Sequence, residues 1–415
     1  MNIWIIDHYS VPQKYYPLIR NTIFAKKLIE RGHEVTIFAA STVHNSEENL
    51  VPKGELYKEV IDNDVRYVLI RCNSYADNGL KRRLNMLDFA LKLPSVCRHY
   101  NRPDVIISTS MTPFACAQGI RIAKKYKCKK IAQITDLWPE SIVAYGYSSR
   151  KNLVIRALYI LEKWIYKNAD AIVFSMEGGR DYIIGKGWDT AHGGPIDLNK
   201  VHHINNGVDL EVFDHNKNNF VIIDHDLCDQ DTFKVIYTGS VRQVNAIHQL
   251  IEVAYILQQK GELGIKFLIF GDGDERENLE REVKQKKLNN IEFKGKIRKE
   301  QVPYVLSKAD LCLLHWKPTP ITKFGMSMNK FFEYFAAGKP ILSNSVSGYD
   351  LIQRYKCGIS KSINNPDEYA ECIMEMSELS ESNYNLFCKN ARTAAEDYDF
   401  SKLTDKLMSV IEGTR

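Results

Sequence analysis

The sequence has no long hydrophobic run. Its amino end, "MNIWIIDHYS", is apolar for a few residues and then meets Asp7. That is too short for a signal peptide or a membrane span, and no other stretch approaches the roughly 20 residues a spanning helix needs. C-x-x-C pairs are also missing. Nine cysteines, an odd number, lie scattered at 72, 97, 116, 128, 228, 312, 357, 372 and 388, several in apolar segments such as "ADLCLLHW". This pattern speaks against a zinc site and for buried free thiols in a reducing cytoplasm, with no metal expected. Neither half carries the G-x-G-x-x-G of a nicotinamide-binding fold; "IIDHYSVPQ", after the first strand, has no glycine at all. The G-x-x-x-x-G-K-[ST] phosphate loop is absent too, which disfavours a dehydrogenase or a P-loop ATPase. No short repeat, low-complexity tract or heptad pattern occurs, and nothing points to nucleic acid.

What is present is an α/β alternation. The 415 residues are comfortable for two domains. "NIWIID", "HEVTIFAA", "PDVIISTS", "KKIAQIT", "DAIVFS" and "KVHHINNG" read as strands, and "RNTIFAKKLIERG", "PFACAQGIRIAKKY" and "KNLVIRALYILEKWIYKNA" as helices between them. The pattern restarts with "FKVIYTG", "IKFLIFGDG", "NIEFKG", "DLCLLHW" and "PILSNS". Two doubly wound parallel-sheet domains are therefore expected, 1–215 and 233–395, with an Asp- and Asn-rich linker at 216–232. A helix at 396–415 would follow, in a position to cross back to the first domain. Ligands in such sheets bind at the carboxyl ends of strands, so the loops there, facing a cleft between domains, carry the interest. The total charge is +5 but uneven: 29 Lys/Arg against 21 Asp/Glu in residues 1–210 gives +8, and 27 against 30 in the remainder gives −3.

In the second domain glycine stands where backbone must approach a ligand: Gly239 with Ser240 and Arg242 in "YTGSVR", Gly271, Asp272 and Gly273 in "FGDGD", and Gly295 two residues before Ile297 in "FKGKI". A tight turn explains each glycine singly; three strand ends on one edge are more informative. "SMNKFFEYFAAGKP" reads as a helix beginning near Met328 and Asn329 and closing at Gly338. It puts Lys330 in the first turn, against the helix dipole. That placement makes sense where an anion docks on the amino-terminal amides, although lysine also snorkels freely to solvent. Glu333 stands one turn on, on the same face. Its carboxylate suits the two hydroxyl donors of a ribose. Together the pair suits a nucleoside diphosphate.

"LIERGHEVTIFAA", "TDLWPES", "INNGVDLEVF", "YTGS", "FGDGDERENLE", "IEFKGKI" and "NKFFEYFAAGKPIL" occur in this order, and over nearly the whole chain it resembles a family 4 glycosyltransferase of the GT-B fold. The likeness is greatest to bacterial enzymes of O-antigen and capsule synthesis, including fucosaminyltransferases. The resemblance implies a retaining transferase that needs no metal for transfer. It implies a nucleotide-sugar donor, most simply UDP-linked, in the C-terminal domain, and a polyprenyl-diphosphate-linked saccharide acceptor in the N-terminal one. It assigns Glu333 to the ribose, Lys330 and the "YTGS" amides to the diphosphate, and the "FGDG" turn and Ile297 to the base. The chain also departs from the pattern. Of two glutamates spaced E-x7-E in many members, the first falls on Gly325. Ser240 replaces an arginine, with Arg242 the nearest cation, and Thr135-Asp136 stands where His-Asp is frequent.

Asp136 ends the strand "KKIAQIT" and could orient or deprotonate an acceptor hydroxyl, or simply cap its turn. Glu140, His8, Arg20 and Glu177 are further acceptor-side candidates, and His33 reads as structural. The segment 79–100 sets Lys81, Arg82 and Arg83 beside Leu84, Leu87, Phe89 and Leu91. It reads as a basic amphipathic helix that could lie on the inner face of the cytoplasmic membrane, or as a core-facing helix with a charged end. Two other functions stay open: a UDP-sugar 2-epimerase of similar architecture, which would epimerise a UDP-sugar with no acceptor, and a non-catalytic nucleotide-sugar binder, which would show no turnover.

Overall fold

The computed structural model describes residues 1–15, 20–43, 46–75 and 79–413. They form two compact units. The first comprises Met1–Asn205 together with the helix Phe400–Gly413, and the second Asn206–Asp399.

The first unit is built on eight strands: β1 (Asn2–Ile6), β2 (Glu34–Ala40), β3 (Tyr57–Asp62), β4 (Val65–Ile70), β5 (Val105–Thr109), β6 (Lys129–Ile134), β7 (Ala171–Phe174) and β8 (Val201–His203). Their order is β3-β4-β2-β1-β5-β6-β7-β8. The central strands read as unbroken apolar runs because helices cover both faces: every residue of β5 and β7 is buried. Only β3 runs antiparallel, in a hairpin with β4. Asn63 and Asp64 form its two-residue turn, both with positive φ (48° and 64°), the backbone that such tight hairpins demand. This hairpin departs from the purely parallel sheet expected, and the Asn-Asp pair was its sequence signal. The carboxyl-terminal helix joins this unit: the Phe24 and Phe400 rings meet edge to face at 5.3 Å, and Arg31 pairs with Asp405 at 2.6 Å.

The second unit contains β9 (Phe233–Thr238), β10 (Ile265–Phe270), β11 (Ile291–Gly295), β12 (Leu311–Leu314), β13 (Ile341–Ser343) and β14 (Gly358–Ser360), all parallel, in the order β11-β10-β9-β12-β13-β14. The expected linker at 216–232 is corrected here. Asp209 caps a helix over Leu210–Asn219, a second short helix spans His225–Cys228, and both lie within the second unit, whose boundary falls at Asn206 rather than after residue 215. Charge holds that polar stretch in place. Asp214 pairs with Arg392 at 2.5 Å, and Asp226 pairs with Lys266 at 2.5 Å and also with Lys294. Weak hydrophobic periodicity here reflects ion-pair anchoring, not a connector. Among the nine cysteines, all free, six are buried, Cys128 and Cys388 are half-buried and Cys228 is exposed.

Candidate functional site

The six-stranded sheet reverses its winding once. From β9 the chain moves outward through β10 to β11, then returns to the other side of β9 as β12. The crevice outside the carboxyl ends at such a reversal is where open parallel sheets bind ligands. Three glycine turns gather along this edge. The Gly239 amide donates to the Phe270 carbonyl (2.9 Å), the Gly271 amide to Gly295 (2.9 Å), and the Val241 amide to Asp272 (2.9 Å). The turns touch so closely that a Cβ on Gly271 would lie 1.7 Å from the Gly239 carbonyl oxygen. Asp272 accepts the Gly273 amide on its own carboxylate (2.9 Å), and the Ser240 hydroxyl accepts from Asn245 (2.7 Å). The result is a bare backbone ledge, with half-buried Ile297 two residues past its far end. Arg242 is exposed, and no hydrogen bond among the described residues ties it to Lys330 or Glu333.

The helix Asn329–Ala337 begins beside this ledge. Met328 is its N-cap and supplies no side-chain acceptor, and no acid stands in the first turn, so the first amides have no side-chain cap. Phe331, Phe332 and Phe335 bury its inner face; the Phe331 and Phe335 rings are 4.5 Å apart, and Phe332 packs on Tyr398 at 5.2 Å. Tyr334 accepts the Thr238 amide (3.0 Å), which ties the helix to the end of β9. Gly338 closes the helix in the left-handed conformation (φ 62°). Asn206, from "INNGVD", donates to the Ser327 carbonyl and to Asn329 Oδ1 (3.1 Å), setting the entry into the helix. Asn206 is not among the residues expected from the sequence; its signal there is the Asn-Gly-Val-Asp run.

With the aromatics turned inward, Lys330 and Glu333 share the remaining face. Lys330 Nζ donates to Tyr237 Oη at 3.1 Å and lies 4.3 Å from that ring's centroid. A Cβ on Gly239 would come within 3.3 Å of the same nitrogen, so lysine and ledge are adjacent. No ion pair reaches Lys330 among the described residues, and burial pushes its ammonium from 10.5 down to about 7. The aromatic face offsets only part of the lost hydration. Glu333 is 14% exposed at its side chain and pairs with Lys299, which stands in the turn after β11. No Asp or Glu occurs between Leu311 and Phe332, so the Gly325 position and its surroundings offer backbone and lysines instead.

The first unit uses its carboxyl edge differently. Asp136 follows β6 and accepts from Ser141 Oγ (3.3 Å), and burial raises its carboxyl above the usual range. Three acceptor-side expectations are corrected. His8 is 1% exposed and packs edge-on against Tyr9 (4.7 Å) and Phe89 (5.0 Å), a core position. Arg20 is buried and donates to the backbone carbonyls of Asn205 (2.5 Å) and Ile204 (2.8 Å), fastening the chain after β8. Glu140 is a buried hub held by Arg150 (2.5 Å), Tyr159 Oη (2.5 Å) and Lys186. Burial disfavours its charge, but Lys186, Tyr159 and Arg150 outweigh that and hold its carboxyl near 2. Glu177 lines a cavity beside β8.

Residues 210–394 match the family described as Glycosyl transferases group 1, and residues 22–212 match Glycosyltransferase Family 4. Spore coat protein SA of Bacillus subtilis (strain 168) is 24% identical over 195 residues, 44% of this chain and 49% of that protein, so the match spans about half of that relative. Among solved structures, the sucrose-phosphate synthase from Thermosynechococcus elongatus aligns with a TM-score of 0.72 at 16% identity, over 100% of this chain and 98% of that one. The HepE protein of Anabaena in complex with UDP aligns with a TM-score of 0.68 at 15% identity, over 100% of both chains. At these identities the likeness establishes the fold, the GT-B architecture of two parallel-sheet units.

Proposed function

Because the chain belongs to glycosyltransferase family 4, we propose that it is a retaining transferase. It moves a hexosyl or N-acetylaminosugar residue from a UDP-sugar to a polyprenyl-diphosphate-linked saccharide, in O-antigen or capsule synthesis at the inner face of the cytoplasmic membrane. One observation carries the donor side: a half-buried ammonium, Lys330, with no counter-anion among the described residues, at the uncapped amino end of a helix and against a glycine ledge. Burying a cation unpaired is costly, and an incoming diphosphate removes that cost. The Asn329–Ala337 amides and Lys330 hold the diphosphate and stabilise the charge that develops on it as the sugar departs. Glu333 accepts the ribose hydroxyls, exchanging its bond to Lys299 for them, and Ile297 borders the base. A UDP complex of a protein with the same fold supports the choice of nucleotide.

On the acceptor side Asp136 positions a hydroxyl or takes its proton, and its raised pKa suits the second role. No helix among the described residues is long and apolar enough to cross a membrane. Surface association is supported by Leu80, Leu84, Leu87 and Leu91, which are 69%, 50%, 38% and 79% exposed on the helix Leu80–Cys97. Their spacing sets them along one face, next to Lys81 and Arg83. This stripe favours the membrane reading of 79–100 over the core-facing one.

Calorimetry of UDP binding to Glu333→Ala tests the donor site. The variant should lose about 10- to 100-fold in affinity, the worth of hydrogen bonds to a charged acceptor, and keep its melting temperature. Full affinity would reject the ribose assignment.

A further inference from the structure

The first unit holds a cavity of about 570 Å³ beside its last strands, within the size range of small-molecule sites. β8 is the edge strand of its sheet, and the helices Gly179–Gly185 and Phe400–Gly413 supply the other walls. Arg180, His202, His203 and Lys406 bring four nitrogen-bearing side chains to this one space, with Glu177 and Ser409 beside them.

Two of these groups are cationic side chains that form no ion pair among the described residues, with the Glu177 carboxylate as the acid that shares their cavity. Arg180 donates Nε and Nη2 to the Val201 carbonyl (3.3 and 3.1 Å), which anchors the guanidinium at the wall without neutralising it. Lys406 forms no ion pair among the described residues; the acid preceding it, Asp405, is taken by Arg31 at 2.6 Å. A third group, His203, is held by the Ser175 backbone and leaves one ring nitrogen unpaired. His203 Nε2 is shut from solvent and meets no hydrogen-bond partner, although its ring lines the cavity. Buried polar atoms are seldom left so, and a ligand oxygen would satisfy this one. Glu177 sets a limit on the ligand: it repels a second anionic group but accepts hydroxyls.

From this we infer that the cavity is a binding site for a phosphorylated sugar, with Arg180 and Lys406 on the phosphoryl oxygens and Glu177 and His203 on sugar hydroxyls. Guanidinium and ammonium groups together are the usual partners of phosphate. The space exceeds that of a bare phosphate and suits a monosaccharide attached to one. None of these residues belongs to the Lys330–Glu333 site, so the two sites can fail separately. The same head chemistry comes as a free sugar phosphate or as the head of a polyprenyl-phosphate-linked sugar.

The test uses the full chain with saturating UDP, so that the donor seat is filled. Glucose 1-phosphate is titrated in by calorimetry. In parallel, phosphatidylcholine vesicles with and without polyprenyl-phosphate-linked glucose are tested for binding. Saturable binding of glucose 1-phosphate, with the His203 ring resonances shifting, supports a soluble ligand; binding only of the sugar-bearing vesicles supports a lipid-borne one. In either case Lys406→Ala and Arg180→Ala should each weaken binding about tenfold, as for one charge-assisted bond, and leave UDP affinity unchanged. Lys406 is exposed on a long helix, so its variant folds and carries the test if Arg180→Ala does not. The inference is overturned if neither probe binds at about 10 mM, below any useful affinity, or if binding survives Lys406→Ala.

Discussion

In the first unit the Glu140 carboxylate is buried and meets Lys186, Arg150 and Tyr159; in the second the Lys330 ammonium is half-buried and pairs with no anion among the described residues. Both groups sit just beyond a strand's carboxyl end or at the start of the helix that follows. Their electrostatics are opposite. Glu140 is stabilised in its charged form by partners the chain itself provides. Lys330 is destabilised in its charged form by burial, and among the described residues its hydrogen-bond partner is Tyr237. A charge fully satisfied within the protein has little to offer a ligand, whereas one left unsatisfied gains most from the arrival of its partner. By that criterion Glu140 and Arg20 belong to the framework, and Lys330 is the charge the proposed donor site would use.

Substitutions should separate the two kinds of charge. The largest effect is expected for Glu140→Ala, which strands Lys186 beside Tyr159. Denaturant unfolding should show a loss of about 3–5 kcal/mol in the first unit, the cost of breaking a buried pair, with UDP affinity intact. Lys330→Met should do the reverse. UDP affinity measured by calorimetry falls by about 100-fold, while the melting temperature holds or rises because an uncompensated charge has gone. Should Lys330→Met unfold the protein and Glu140→Ala leave it stable, the contrast between the two regions is gone.

A pH series sharpens the same point. Lys330 titrates near 7 without an anion, and a bound diphosphate favours its charged form and so raises its pKa. Affinity for UDP should therefore be steady just below pH 7 and fall as pH rises from 7 towards 9, by up to about tenfold per unit. Lys330→Arg, which stays charged, should be flat over that window. The smallest effect concerns Lys299. On the proposed ribose role of Glu333 its pair with Lys299 has to open, and the lysine is 41% exposed, so the pair contributes about 1 kcal/mol or less. Lys299→Met should tighten UDP binding about two- to fivefold in the same calorimetry; weaker binding would mean that Lys299 itself touches the nucleotide.

The parts of this arrangement that could be read in advance are local ones. Strand–helix alternation, glycines at three strand ends and a lysine one turn before a glutamate all lie within short windows, where periodicity and capping rules apply. The parts that were not legible depend on distant partners. Glu140 becomes a hub only because Arg150, Tyr159 and Lys186 fold onto it, and Glu333 meets Lys299 across 34 positions. Arg20 resembled Lys330 in sequence, a cation at a helix start, yet its guanidinium is held by carbonyls 184 and 185 residues away. The segment 216–232 looked like a linker because ion pairs, which leave no periodic trace, anchor its neighbourhood.

The most direct test is the titration of the Lys330 side chain itself, followed by NMR of its ε-carbon with and without UDP. An uncompensated ammonium waiting for an anion titrates near 7 in the free protein and moves upward by a unit or more, roughly the effect of one close counter-charge, when UDP binds. A Lys330 that titrates at its ordinary value and does not respond to UDP would contradict the anion seat at the head of this helix.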